Sequence, residues 1–273
     1  MAKATDIPKF GPLSGVKVVC SGNSVGGPLE GSLAANFGAN VILIENPRRV
    51  DPLRVTLGGL GAEDERWNMR SLCLDITTPE GKKILLELIK DADIFVENSR
   101  GGQYAEWGIT DEVLWEVNPK LVINHVSGFG QTGDPDYIGR PGYDFLIQAF
   151  SCMNILNGYP DREPLWVHQF VTDYYAALLG FGCCLAALHK ANQTGIGESI
   201  DLAQFEASLL CQSMHPLNYL NDRIQYQRIG AHSIEGVAVG YYQCKDHGIY
   251  LSVFGPAQQK ILLGLLGLEY GSK

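Results

Sequence analysis

The strongest constraint on this chain is the regular alternation of short β-branched runs with helix-patterned segments. Residues 16–20 form a compact apolar run that reads as a buried strand, 21–27 as a loop, 28–37 as a helix, and 41–45 as a second buried strand ending in an acid. Two such strands with a helix between them make a βαβ unit, because parallel strands need a crossover. The order then repeats. Thr78, Pro79 and Glu80 supply a hydroxyl N-cap, a proline at the first position and an acid in the first turn. Ile84, Leu85, Leu88 and Ile89 carry that helix to about Lys90 at helical spacing. Strands at 94–97, 121–126 and 198–202 alternate with helices at 111–117, 143–151, 172–190 and 204–210. The alternation predicts a Rossmann-like α/β fold with a doubly wound parallel sheet. The last segment changes character: runs at 239–244 and 249–254, joined by Lys245-Asp246-His247-Gly248, read as a hairpin. The expected organisation is a large domain over 1–224 and the start of a smaller α+β domain over 225–273.

Charge and residue usage exclude several classes. The net charge is -9, from 21 basic and 30 acidic residues, so the chain repels phosphate backbones and no nucleic acid is expected as a partner. A phosphorylated ligand would need a few local cations and helix N-termini. The apolar run 176–188 is too short to span a bilayer and reads as a buried helix, and the first residues lack the apolar core of a signal peptide. No membrane partner is therefore expected. Seven cysteines, odd in number and without a C-x-x-C pair, read as reduced thiols in a cytoplasmic protein. Six histidines show neither H-E-x-x-H nor clustered ligand spacing, so no metal is expected.

Gly22-Asn23-Ser24-Val25-Gly26-Gly27 after the first strand, with Glu45 closing the second, resembles a dinucleotide fingerprint. That fingerprint requires a glycine where Ser24 stands, because the backbone must approach a pyrophosphate there. A plain strand-to-helix turn explains the same residues, and NAD(P)-linked oxidoreduction stays as an alternative.

A longer pattern runs along the chain. It begins at Pro8-Lys9-Phe10-Gly11-Pro12-Leu13-Ser14-Gly15 and continues through Ile44-Glu45-Asn46 and Leu72-Cys73-Leu74-Asp75. It is densest in Gly108-Ile109-Thr110-Asp111-Glu112-Val113-Leu114-Trp115, Asn118-Pro119-Lys120-Leu121-Val122-Ile123 and Ser127-Gly128-Phe129-Gly130-Gln131. It returns in Gln148-Ala149-Phe150, Thr172-Asp173-Tyr174 and Thr194-Gly195-Ile196-Gly197-Glu198-Ser199-Ile200-Asp201. In order and spacing these segments resemble the family III CoA-transferases, and the opening arm and residues 108–131 are most similar to the carnitine branch. The chain covers about two-thirds of a typical member and stops early in the small domain, so it is expected to lack the C-terminal third.

The resemblance implies that Asp173 is the catalytic carboxylate. Without it, an acid at a helix start is ordinarily a cap or dipole-compensating residue. It also implies that CoA is held by Asn98 and Arg100 of Glu97-Asn98-Ser99-Arg100, with Leu74, Tyr143 and Arg140 as further contacts and Leu72, Arg48 and Arg54 as weaker candidates. The branch carries a second cation where this chain has Trp107. A quaternary ammonium would suit a cage from Trp166, Phe170, Tyr174 and Tyr175, residues that equally serve as core packing. Gly142-Tyr143-Asp144 stands where racemases of the family resemble Gly-His-Asp, and tyrosine is a poor general base at neutral pH. Residues 226–240 lack the glycine run of oxalate-type members.

The implied reaction moves CoA between a betainyl-CoA (crotonobetainyl- or γ-butyrobetainyl-CoA) and L-carnitine. CoA and acyl-CoA are substrates, no cofactor is tightly bound, and two chains form an interlocked homodimer. Another carboxylic acid pair, or an inactive shortened member, are the alternatives.

Overall fold

Backbone hydrogen bonding in the computed structural model follows the alternation closely. The structure describes residues 9–167, 170–233 and 238–270. Pro8 of the opening arm, Gly236 and residues 271–273 lie outside the described residues. The chain divides into two units, residues 1–151 with 168–213 and residues 152–167 with 214–273.

In the first unit β1 (Lys17–Ser21) leads through α1 (Gly26–Asn36) to β2 (Asn40–Glu45). Then come α2 (Leu60–Glu65), β3 (Arg70–Cys73), α3 (Pro79–Ile89), β4 (Ile94–Glu97), α4 (Gln103–Glu106), α5 (Asp111–Val117) and β5 (Val122–Ser127). The unit continues with α6 (Pro135–Ile138), α7 (Asp144–Phe150), α9 (Val171–Thr194), β6 (Glu198–Ala203) and α10 (Gln204–Leu210); α8 (Met153–Leu156) belongs to the second unit. The six strands pair in the order β3-β2-β1-β4-β5-β6, all parallel. The order reverses between β1 and β4, and open α/β sheets place ligands beyond the carboxyl ends of the strands at that reversal.

Period-two alternation along the strands feeds two cores. Val18 and Cys20 face a cluster with Ala34, Ala35, Ala176, Cys184 and Leu188 under α1 and α9. Val19 faces the other way, with Leu85, Ile89, Phe95 and Leu114 under α3 and α5. The reading of 79–90 holds at its cap: Thr78 Oγ1 accepts the Gly81 N–H at 3.1 Å. β3 was not expected. It is an edge strand whose residues alternate between half-buried and exposed, so it has no apolar run to betray it.

α9 departs from expectation in length. It runs 24 residues, past the expected end at 190, and is long and apolar enough for a membrane crossing by length and composition. The expected start at 172 is right to one residue, and the expected end at 190 leaves out the polar last turn, residues 191–194. In the fold α9 packs on α1, β5, β6 and α10. It also carries Gly180 because Glu30 of α1 is buried opposite: a Cβ there would lie 2.5 Å from Glu30 Oε2. Glu30 accepts from Asn124 Nδ2 (3.0 and 2.8 Å) and from Cys184 Sγ (3.1 Å). Burial pushes its carboxyl up to about 7, against the lowering effect of those donors.

The second unit holds α8, α11 (His215–Asp222), the antiparallel hairpin of β7 (Val239–Gln243) and β8 (Gly248–Ser252), and α12 (Pro256–Leu265). The division expected between 224 and 225 falls between 213 and 214, and residues 152–167 join this unit. The Arg228 guanidinium donates to the carbonyls of Tyr159 (3.0 Å) and Arg162 (2.7 Å), and the Gly230 N–H to that of Gly158 (2.9 Å). Those bonds tie 158–162 to 228–230 across a long stretch of sequence, which local patterning does not reveal.

Candidate active site

A cleft of about 830 Å³ opens in the first unit beyond the carboxyl ends of β1, β4 and β5. Its lining includes Ser21, Asn23, Gly26, Asn98, Ser127 and Asp173. Asp173 stands in the first turn of α9, half-buried. Phe170 at the N-cap has φ 52° and ψ 23°, a left-handed conformation that costs a non-glycine residue roughly 1 kcal/mol and turns the chain into the helix. Asp144 supplies the cap instead: its Oδ1 accepts from both the N–H and the Oγ1 of Thr172, each at 2.8 Å. Gln204, the first residue of α10, donates through Nε2 to Asp173 Oδ1 at 2.7 Å and to Thr172 Oγ1 at 3.1 Å.

Burial, joined by the nearby Asp144 carboxylate, pushes the Asp173 carboxyl up to about 7; Gln204 pulls it down and Glu65 adds to the rise. The start of α9 does little to hold this carboxylate charged, because Asp144, itself an acid, already occupies the helix end. Gly26 is close by: a Cβ there would lie 3.8 Å from Asp173 Oδ1. Val25, the N-cap of α1, forms no side-chain cap bond.

The glycine loop has a role other than the one its likeness to a dinucleotide turn implied. Asn98 Oδ1 accepts the Asn23 N–H at 2.9 Å and Asn98 Nδ2 donates to the Asn23 carbonyl at 2.8 Å, so one amide latches the loop after β4 to the loop after β1. Cβ atoms at Gly22 and Gly27 would lie 2.2 and 3.2 Å from Asn98 Oδ1. The space a pyrophosphate would use against this turn holds the asparagine side chain. Glu45, in the place of a ribose-binding acid, accepts both Nε (2.6 Å) and Nη2 (2.7 Å) of Arg54. These contacts speak against nicotinamide binding.

Asp173, Asn98, Arg100, Leu74, Tyr143 and Arg48 all line this one cleft. Arg140 is not among its lining residues and stacks its guanidinium 4.4 Å over the Tyr137 ring; Arg54 is paired with Glu45, and Leu72 packs on the core. Arg100 is held by Glu106, with Nη2 2.8 and 2.6 Å from its two oxygens. Trp107 lines the cleft and packs against Tyr104 with ring centroids 5.2 Å apart. Of the suggested cage, Phe170 and Tyr174 pack with Val25 and Leu29, the Tyr174 hydroxyl donates to Glu65 Oε1 at 2.5 Å, and Trp166 belongs to the second unit. Gln204, Arg49 and Gln103 are cleft residues that the sequence reading missed. Gln204 had one usable signal, a polar side chain directly after a parallel strand.

Behind the cleft, the buried Glu97 ends β4. Its Oε1 is 2.8 Å from His125 Nδ1 and its Oε2 accepts the Ser99 N–H at 2.7 Å. His125 Nε2 is 2.9 Å from Asp111 Oδ1. Burial disfavours a charged imidazole, but the two carboxylates outweigh it and push His125 up to about 10.

A reversed-order parallel sheet with an acid-bearing cleft at the reversal defines a Rossmann-like α/β protein with its ligand site at the strand ends. Residues 13–271 match CoA-transferase family III, and the chain belongs to that family. It is 40% identical over 264 residues to the bile acid CoA-transferase of Clostridium scindens, an alignment covering 95% of this chain and 60% of that protein. It is 41% identical over 271 residues to the L-carnitine CoA-transferase of Proteus mirabilis, covering 99% and 66%. The chain thus spans less than two-thirds of the length of these relatives. A solved CAIB/BAIF family protein from Brucella suis superposes with a TM-score of 0.82 at 29% identity, covering 95% of this chain and 70% of that one.

Proposed function

We propose that this chain moves CoA between carboxylic acids, with Asp173 as the covalent carrier. The ionised Asp173 oxygen attacks the thioester carbonyl, expelling CoA thiolate and leaving an acyl-aspartyl anhydride. The thiolate attacks the aspartyl carbonyl, releasing the first acid and leaving an aspartyl-CoA thioester. The second acid's carboxylate attacks that thioester and expels the thiolate, which then takes the new acyl group and returns Asp173. Each step exchanges one activated acyl bond for another. The uncapped first turn of α1, beside Asp173 at Gly26, offers N–H donors to the developing oxyanion.

The observation carrying this reading is the position of Asp173: half-buried, bonded to Gln204, in one cleft with the CoA candidates Asn98 and Arg100. For the acid pair we propose a betainyl-CoA and L-carnitine. The acids Asp144 and Glu65 act on Asp173 as negative charges, and a substrate with a fixed positive charge would be favoured beside them. The likeness to the bile acid enzyme supports a second reading, a steroid carboxylate as acceptor. We place the working form as a homodimer in the cytoplasm, in line with its unpaired cysteines.

The test is to incubate the protein with crotonobetainyl-CoA, reduce with borohydride and map the modified peptide by mass spectrometry. A label at Asp173, with Asp173→Asn inactive, is the expected result. A label elsewhere, or normal turnover by Asp173→Asn, overturns the mechanism. Turnover with a bile acyl-CoA and none with carnitine overturns only the acid pair.

A further inference from the structure

We propose that His125 is a positioning residue for CoA recognition, acting through Glu97 on the Asn98–Arg100 segment. This rests on the proposed CoA-transfer reading but concerns a residue outside the cleft lining. The register puts Glu97 beside Ser21 on β1 and beside His125 on β5, at the strand-order reversal. Glu97 is 1% exposed, where a lone carboxyl would keep its proton. A protonated carboxyl would still accept the Ser99 N–H, but through a neutral oxygen, which holds an N–H more weakly than a carboxylate does. His125, clamped on its far side by Asp111, gives Glu97 a cationic partner and keeps both oxygens as acceptors. One oxygen then holds the Ser99 N–H at 2.7 Å. With the Asn98 amide latched to Asn23, the turn leading to Arg100 is fixed at two successive residues. His125 thereby sets where Asn98 and Arg100 meet the ligand without touching it.

Two amide substitutions separate this from a general packing role. In His125→Asn the side-chain nitrogen falls where Nδ1 was and still donates to Glu97. In His125→Gln it falls where Nε2 was, keeping the Asp111 contact and losing Glu97. CoA titrated calorimetrically into the 273-residue chain is expected to bind His125→Asn within about threefold of the parent. His125→Gln is expected to bind about ten- to a hundredfold more weakly, the loss of one charge-assisted hydrogen bond. Should His125→Gln not fold, Glu97→Gln, which keeps an acceptor for Ser99 but loses the ionised pair, is expected to show the same weakening. Parent protein that binds CoA while the variants bind it equally overturns this proposal alone. Parent protein that takes up no CoA removes the CoA-transfer reading and this proposal with it.

Discussion

Asp173 is set where burial and two neighbouring carboxylates oppose its charge, yet the proposed chemistry needs the anion. Activity is therefore expected to rise with pH through about 7, as the raised carboxyl ionises. Gln204→Leu removes the lowering hydrogen bond, so the rising limb should move to higher pH, with about a fivefold loss at pH 7 for the first unit moved. A pH–rate profile whose limb stays in place refutes that role for Gln204. The same shift is a stability statement. A folded carboxyl raised above its unfolded value contributes stability below about pH 4 that is lost as pH rises through about 7. Asp173→Asn does not titrate, so it should exceed the parent in stability by about 1–3 kcal/mol at pH 8 and match it at pH 4 in urea denaturation. The aspartate could be singled out in the sequence only through the resemblance of its Thr-Asp-Tyr setting. Gln204 could not, because its partner lies 31 residues away and only the folded strand end brings them together.

The elements around the cleft are held by contacts that leave no room for extra atoms. Gly22→Ala places a methyl 2.2 Å from Asn98 Oδ1 and should cost about 1–3 kcal/mol. In an Asn98→Ala background that cost should largely vanish, and equal costs in both backgrounds by urea denaturation would refute the latch. At the cleft mouth Glu106 holds Arg100 in a half-exposed pair. Glu106→Gln should tighten CoA binding about two- to fivefold by calorimetry, the worth of one such pair. Most strands and long helices could be read from pattern, down to the Thr78 cap. β3 and the four-residue helices α4, α6 and α8 could not, since each is too short or too mixed to show a period.

For the molecule as a whole, the alternation of elements disclosed the parallel sheet, while the division into units followed bonds between residues far apart in sequence. One consequence concerns the carboxyl of Glu30, sealed between α1 and α9 with Asn124 and Cys184 as hydrogen-bond partners. It, Asp173 and His125 all hold their protons more tightly in the folded chain than in water, and unfolding exposes all three. Denaturation at neutral pH should then release protons to the medium. Scanning calorimetry in Tris and in phosphate should return enthalpies that differ in proportion to the difference in buffer ionisation heat, and identical enthalpies would show that the interior exchanges no hydrogen ions when it opens.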